Sequence, residues 1–362
     1  MRSNYPLLTL FILVIWLSTS GWTCSDTTVT TQVETAQKIS NTTGNFNGVL
    51  DDDDRFGSAV ANIGDLEVDG VTDLAVGSPR DDDGGSDSGA VWILFMNDDG
   101  TVDIEQKISD TEGFFPGELD DNDQFGSAVA ELGDLNRDGI LDIAVGAPLD
   151  DDAGTDSGAI WILFLNADGT VQFTQKITEN LGGFFGELEE NDQFGGAIAN
   201  IGDLNNDTVP DIAVGARLSD DGGTDRGALW VLLMTVDGTV FASRKISEIS
   251  GDFEVTLADS DFFGSSVAGI GDLDGDGVED IATGAIGDDD GGVDRGAVWI
   301  LFMNTDGSVR LEQKISENNG NFNGGLTDGN RFGSSVTGIG DYNEDGILDI
   351  AAGADQDEDG GS

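Results

Sequence analysis

Residues 272–280 read DLDGDGVED, with Asp272, Asp274 and Asp276 at alternate positions, then Gly277 and Asp280. Alternating carboxylates in a short turn bring several hard oxygens to one point, which is the chemistry of a divalent-cation site. The pattern recurs at 65–73, 134–142, 203–211 and 341–349. Oxygens at positions 1, 3, 5 and 9, with the main-chain carbonyl of position 7, form each candidate ligand set. These sets are Asp65, Glu67, Asp69, Val71 and Asp73 in the first loop, and Asp134, Asn136, Asp138, Ile140 and Asp142 in the second. The third has Asp203, Asn205, Asp207, Val209 and Asp211, and the fourth Asp272, Asp274, Asp276, Val278 and Asp280. The fifth has Asp341, Asn343, Asp345, Ile347 and Asp349.

Flexible, oxygen-rich coordination suits calcium, whereas magnesium demands a tight octahedron and zinc prefers sulfur or nitrogen. The chain has no histidine and one cysteine, so calcium is the expected cofactor. An EF-hand is excluded, because it needs a bidentate glutamate at position 12 and flanking helices. That position holds Val76, Val145, Val214, Thr283 and Ala352. The third loop departs furthest from the pattern, with Thr208 at the glycine position and Pro210 nearby.

The elements that must position these loops follow from a repeat. Phe-Gly occurs at 56, 125, 194, 263 and 332, a constant step of 69. Lys-Ile-Ser or Lys-Ile-Thr keeps that step at 38, 107, 176, 245 and 314, as do Trp92, Trp161, Trp230 and Trp299. In the first unit, residues 56–64, 73–79, 89–97 and 101–109 read as four strands. The third is a continuous run of β-branched and aromatic residues, as in a strand buried on both faces. Asp99-Gly100 supplies the hairpin between the third and fourth. No stretch carries a long helical period. The fold class predicted is all-β, a β-propeller of four-stranded antiparallel blades. A linear β-solenoid is disfavoured, because its repeats are far shorter. About five units occupy residues 31–362, and the last lacks its third strand, as expected of an incomplete array.

Composition narrows the function. Asp and Glu number 71 against 15 Lys and Arg, a net charge of −56 that argues against nucleic-acid binding. Arg2, an apolar run from Leu7 to Leu17, then Ser18, Thr19 and Ser20 read as a secretory signal peptide over 1–20. A short segment, 21–30, would follow. The run falls short of the ~20 residues a membrane span needs, so no span is expected in the mature chain. Cys24 has no partner for an intrachain disulfide.

Phe-Gly, then an Asp-rich nine-residue loop, then Gly146-Ala147-Pro148 resembles the FG-GAP repeat of integrin α-subunit propellers. The third element varies to Gly77-Ser78-Pro79, Gly215-Ala216-Arg217, Gly284-Ala285-Ile286 and Gly353-Ala354-Asp355. The resemblance covers residues from about 31 onward. It implies calcium loops between the first two strands of each blade, and a role in adhesion or extracellular recognition. The near-identical units look more like microbial members of the family than a vertebrate integrin. The expected partner is an extracellular protein or glycan.

A second acidic feature lies between the second and third strands: Asp81, Asp82 and Asp83; Asp150, Asp151 and Asp152; Asp220 and Asp221; Asp288, Asp289 and Asp290. In a meander these loops fall on the end opposite the calcium loops. They read either as solvated turns that keep the protein soluble, or as a face for a cationic partner or further calcium. No catalytic residue is expected. A catalytic site should break the periodicity with unique residues, and the units hardly differ. The alternative is a module of a secreted polysaccharide-acting enzyme, since carboxylate pairs abound.

Overall fold

The computed structural model describes residues 11–12 and 36–357. The expected leader lies outside these, apart from Phe11–Ile12, whose backbone pairs antiparallel with Gln37–Lys38. Four antiparallel sheets follow, each four strands in sequential order. The first contains Val60–Asn62, Leu74–Ser78, Ala90–Met96 and Val102–Ile108. The second contains Ala128–Gly133, Asp142–Ala147, Ala159–Leu165 and Val171–Ile177. The third contains Ala197–Asn200, Ile212–Ala216, Ala228–Met234 and Val240–Ile246. The fourth contains Phe263–Gly271, Asp280–Ala285, Ala297–Met303 and Val309–Ile315. Phe332–Gly340 and Asp349–Ala354 pair as a partial fifth blade. Among the described residues there is no helix, and so none long and apolar enough to cross a membrane.

The third strand of each complete blade is buried along its whole length. Alternate side chains point to opposite faces of a strand, so that strand divides its residues between two cores. Val91, Ile93 and Phe95 pack with Trp161, Leu163 and Leu165 of the next blade. Trp92, Leu94 and Met96 face the other way, onto Ile39, Phe46 and Phe56. The cores therefore lie between blades, and successive first strands lie side by side, as in a propeller.

The Phe-Gly and Gly-Ala-Pro motifs meet across those seams. Gly126 donates its N–H to the Gly146 carbonyl of its own blade at 3.0 Å. Its carbonyl lies so close to Gly77 of the preceding blade that an added Cβ there would sit 1.9 Å from the oxygen. Gly146 stands in the same relation to Gly195. Phe125 is fully buried against Phe115, which meets Trp161 edge-on at 5.0 Å. A parallel bridge from Gly89 to Phe125 stitches the same seam. The first strand is shorter than the sequence predicts in the first three blades, beginning at Val60, Ala128 and Ala197, and is full length in the fourth and fifth; the chain turns at every seam. Gln124 and Gly126 both take positive φ, 55° and 94°.

Candidate metal loops

Each nine-residue loop joins the first two strands of its blade, as its position-12 residue required. In the second blade the Asp134 carboxylate accepts the N–H groups of Asp138 and Gly139, both at 2.9 Å. The Asn136 side-chain oxygen accepts the Asp138 N–H at 2.8 Å, and the Asp138 carboxylate accepts the Ile140 N–H at 2.9 Å. The loop thus folds around its own acceptors. Asp65, Asp203, Asp272 and Asp341 repeat the first pattern. Asp69, Asp207, Asp276 and Asp345 hold the N–H of Val71, Val209, Val278 and Ile347. In the fourth loop, oxygens of Asp272, Asp274 and Asp276 lie within 4.8 Å of one another. In the second, third and fifth loops Asn136, Asn205 and Asn343 fill position 3, and in the first Glu67.

Position 9 behaves differently. Asp73, Asp142, Asp211 and Asp280 are fully buried. One Asp142 oxygen accepts the Leu135 N–H inside the loop at 3.0 Å. The other accepts the Leu165 N–H at 3.2 Å, from the end of the third strand. Asp73, Asp211 and Asp280 join their loops to Met96, Met234 and Met303 in the same way. Burial pushes Asp142 and Asp211 up to about 7 and Asp280 up to about 6, against backbone bonds that oppose the shift. The Asp142 oxygen that bonds Leu135 also accepts the Asn136 N–H at 3.4 Å, and the oxygen toward the third strand keeps acceptor capacity beyond its one N–H. An all-oxygen set ending in a buried carboxylate fits a hard divalent cation, which would favour the ionised form. Asp349 of the partial blade is less buried and bonds only within its own loop, at Tyr342 and Asn343.

Positions 4 and 6 of every loop have positive φ, for example Arg137 at 65° and Gly139 at 91°. Thr208 takes 72°, an awkward conformation for a β-branched residue. Arg137 of the neighbouring loop donates to its carbonyl at 3.2 Å and its hydroxyl at 2.6 Å, fastening the second loop to the third.

The aspartate triplets have separate structural partners. Asp81 and Asp83 each lie 2.6 Å from the Lys107 ammonium, which sits 5.4 Å from the Trp92 ring centroid. Lys176 pairs with Asp150 and Asp152, both at 2.5 Å, and Lys314 pairs with Asp288 and Asp290. In the third blade Ser219 replaces the first aspartate, and Lys245 pairs with Asp221 at 3.1 Å. The middle residues Asp82, Asp151, Asp220 and Asp289 are exposed and accept N–H groups of Asp87, Asp156, Asp225 and Asp294. Sequence reasoning missed the lysines as partners. Their signal was the Lys-Ile-Ser repeat, which read only as the end of a strand.

It also missed Asp54, Asp123, Asp192 and Asp261, all buried just before the Phe-Gly motifs. Each accepts a backbone N–H three residues upstream, as Asp123 does from Asp120 at 2.9 Å. Burial pushes Asp123 up to about 7 and the other three to about 6. These values lie above the ordinary 3.8, so the folded protein holds protons more tightly than the unfolded chain. Their contribution to stability is full below that ordinary value and is lost as pH rises through 6 to 7. In chelator the melting temperature should therefore rise as pH falls from 8 to 5. Asp123→Asn, the amide that Asn330 supplies in the fifth unit, should flatten that rise. A melting temperature that falls over the same window would refute the assignment.

A family model described as the FG-GAP repeat matches residues 56–94, 125–163, 194–232 and 263–301. Each match runs from the Phe-Gly motif to the third strand. The chain is 34% identical to integrin alpha-5 of Xenopus laevis over 250 residues, 68% of this chain and 21% of the relative. It is 34% identical to integrin alpha-2 of Mus musculus over 165 residues, 44% of this chain and 13% of the relative. Phosphatidylinositol-glycan-specific phospholipase D of Bos taurus is 29% identical over 225 residues, 60% of this chain and 25% of the relative. The chain thus spans a quarter or less of these curated relatives. Repeat matches, interlocked glycine motifs and four-stranded sheets agree: this is an FG-GAP repeat protein with integrin α-like propeller blades.

Proposed function

We propose that this chain is a secreted calcium-binding propeller that acts in adhesion or extracellular recognition, with calcium held structurally in the loops between first and second strands. The organisation proposed is a leader at 1–20, a short segment at 21–30 and the repeats from 31 to 362. The observation that carries the calcium reading is the convergence of Asp272, Asp274 and Asp276, with the same backbone cradle repeated in the other loops. When bound, calcium would supply a fixed dication that ties each loop to its blade. The partner, an extracellular protein or glycan, would dock at the opposite end; the exposure of Asp82, Asp151, Asp220 and Asp289 there supports this reading. No nucleic acid is expected there, given the net charge of −56. Likeness to both integrins and a phospholipase D supports a module that serves more than one kind of longer protein. It also gives the second reading, a repeat module of a secreted enzyme, a specific basis.

Chelation tests the calcium reading. Sites with Kd of ~10⁻⁴–10⁻³ M, as in extracellular modules, each add about 1.4 kcal/mol at tenfold excess ligand. Over five loops that is comparable to a domain's whole stability of ~5–15 kcal/mol. A chelator should lower the melting temperature by many degrees, and magnesium should restore it poorly. An unchanged melting curve would refute structural calcium. A glycan and protein array probed in calcium should show ligands, while polysaccharide or glycolipid turnover by the chain would favour the enzyme reading.

A further inference from the structure

The hairpin after each third strand carries a β-bulge at one fixed place. Val102 pairs with Met96 and Ile104 with Phe95, so Asp103 is the extra residue. The same irregularity singles out Gln172, Phe241 and Arg310. Bulges commonly sit beside functional sites and re-aim a side chain. This one faces the residue that matters for the loop: Met96, Leu165, Met234 and Met303 are the groups whose N–H bonds hold the position-9 aspartates. The bulge residue differs in charge between the units, reading Asp, Gln, Phe and Arg. It lies outside the residues matched by the repeat model.

In the fourth blade the consequence is direct. The Arg310 guanidinium pairs with Asp274 and lies 3.0 Å from Asp276, two of the three converging carboxylates. Its central carbon sits 6.0 Å from the centroid of the Phe302 ring, which supports the side chain over the loop.

We propose that Arg310, the bulge residue of the fourth blade's outer strand, sets how tightly its own blade's loop holds a cation, as a built-in counter-charge that a metal must displace. The proposal rests on the calcium reading above and goes beyond it. The loop with the most closely gathered carboxylates is the one given a resident cation, so its affinity is brought down toward that of the Asn-containing loops. A guanidinium leaving two carboxylates and a dication arriving is an exchange of partners, and its cost falls on that one site.

The test is calcium equilibrium dialysis of the full chain at physiological salt, with melting in graded calcium as a second readout. Arg310→Gln is expected to tighten one site by about tenfold, the change that ~1.4 kcal/mol produces, and to leave the others in place. In an Asp272→Ala background, where the fourth loop has lost its first ligand, Arg310→Gln should change nothing. Because Arg310 is on the surface, the single variant keeps the fold, and the melting curve in chelator verifies it. Calcium uptake with unchanged site constants in Arg310→Gln overturns the role of the bulge alone, as does an equal tightening of every site. Absence of saturable uptake by the unaltered protein overturns the calcium reading itself.

Discussion

Gly146→Ala is expected to destabilise the protein by about 3 kcal/mol or more, at the upper end of the cost of overpacking. The new Cβ would stand 2.0 Å from the Gly195 carbonyl oxygen and 3.0 Å from its carbon. Both are backbone atoms, and Gly195 also donates its own N–H to Gly215 at 3.1 Å. Relief therefore requires opening the seam between two blades rather than turning a side chain. Gly146 itself does not have a positive φ, so the cost is steric and not conformational. Gly139→Ala is the contrasting control. Its φ is 91°, but no atom lies within 4 Å of the added carbon, so a smaller cost of ~1–2 kcal/mol is expected from backbone strain. Urea and thermal unfolding of the two variants should rank them in that order. Equal melting temperatures would show that the motif glycines are not the seam they form in the structure.

Asp142→Ala is the second large effect. Its carboxylate accepts N–H groups from Leu135 and Leu165, both buried and without solvent to replace it. Each orphaned donor costs about 1–3 kcal/mol. Removal of a buried carboxyl whose pKa is already raised to about 7 offsets part of this loss. The net loss should then be ~2 kcal/mol in chelator and larger in calcium, where the variant also forfeits a ligand. Asp142→Asn should be intermediate, because one oxygen remains but the amide nitrogen faces a second N–H. Unfolding measured with and without calcium separates the contributions. A variant as stable as the parent in both conditions would remove position 9 from its role as the link between loop and third strand.

Much of the architecture is legible because it is written in local patterns. The 69-residue step, the apolar third strands and the Asp-Gly hairpins each sit within one unit, and the blades follow from them. The five Asp-rich loops are equally plain, since their candidate ligands fall within nine consecutive residues. What escapes a linear reading depends on residues far apart. Gly77 touches Gly126 and Gly146 touches Gly195 across the seams, so the reason for pairing Phe-Gly with Gly-Ala-Pro appears only when blades are adjacent. Asp81 and Asp83 meet Lys107 of the fourth strand from the loop between the second and third, which turns two of three apparently solvated carboxylates into a clasp over Trp92. Arg310 is visible in the sequence as a departure from the repeat, yet only the bulged register sends it to Asp274 and Asp276. Thr208 reads as a defect in the third loop, and Arg137 of its neighbour is what holds it.

The central claim is that the loops between first and second strands are saturable calcium sites. Equilibrium dialysis against calcium at ~0.15 M salt, where screening suppresses loose counterion association with a polyanion, measures it directly. The account predicts uptake that saturates near one ion per loop, falls by about one ion in Asp142→Ala, and resists a tenfold excess of magnesium. Uptake that never saturates, or that magnesium displaces as readily as calcium does, would contradict it.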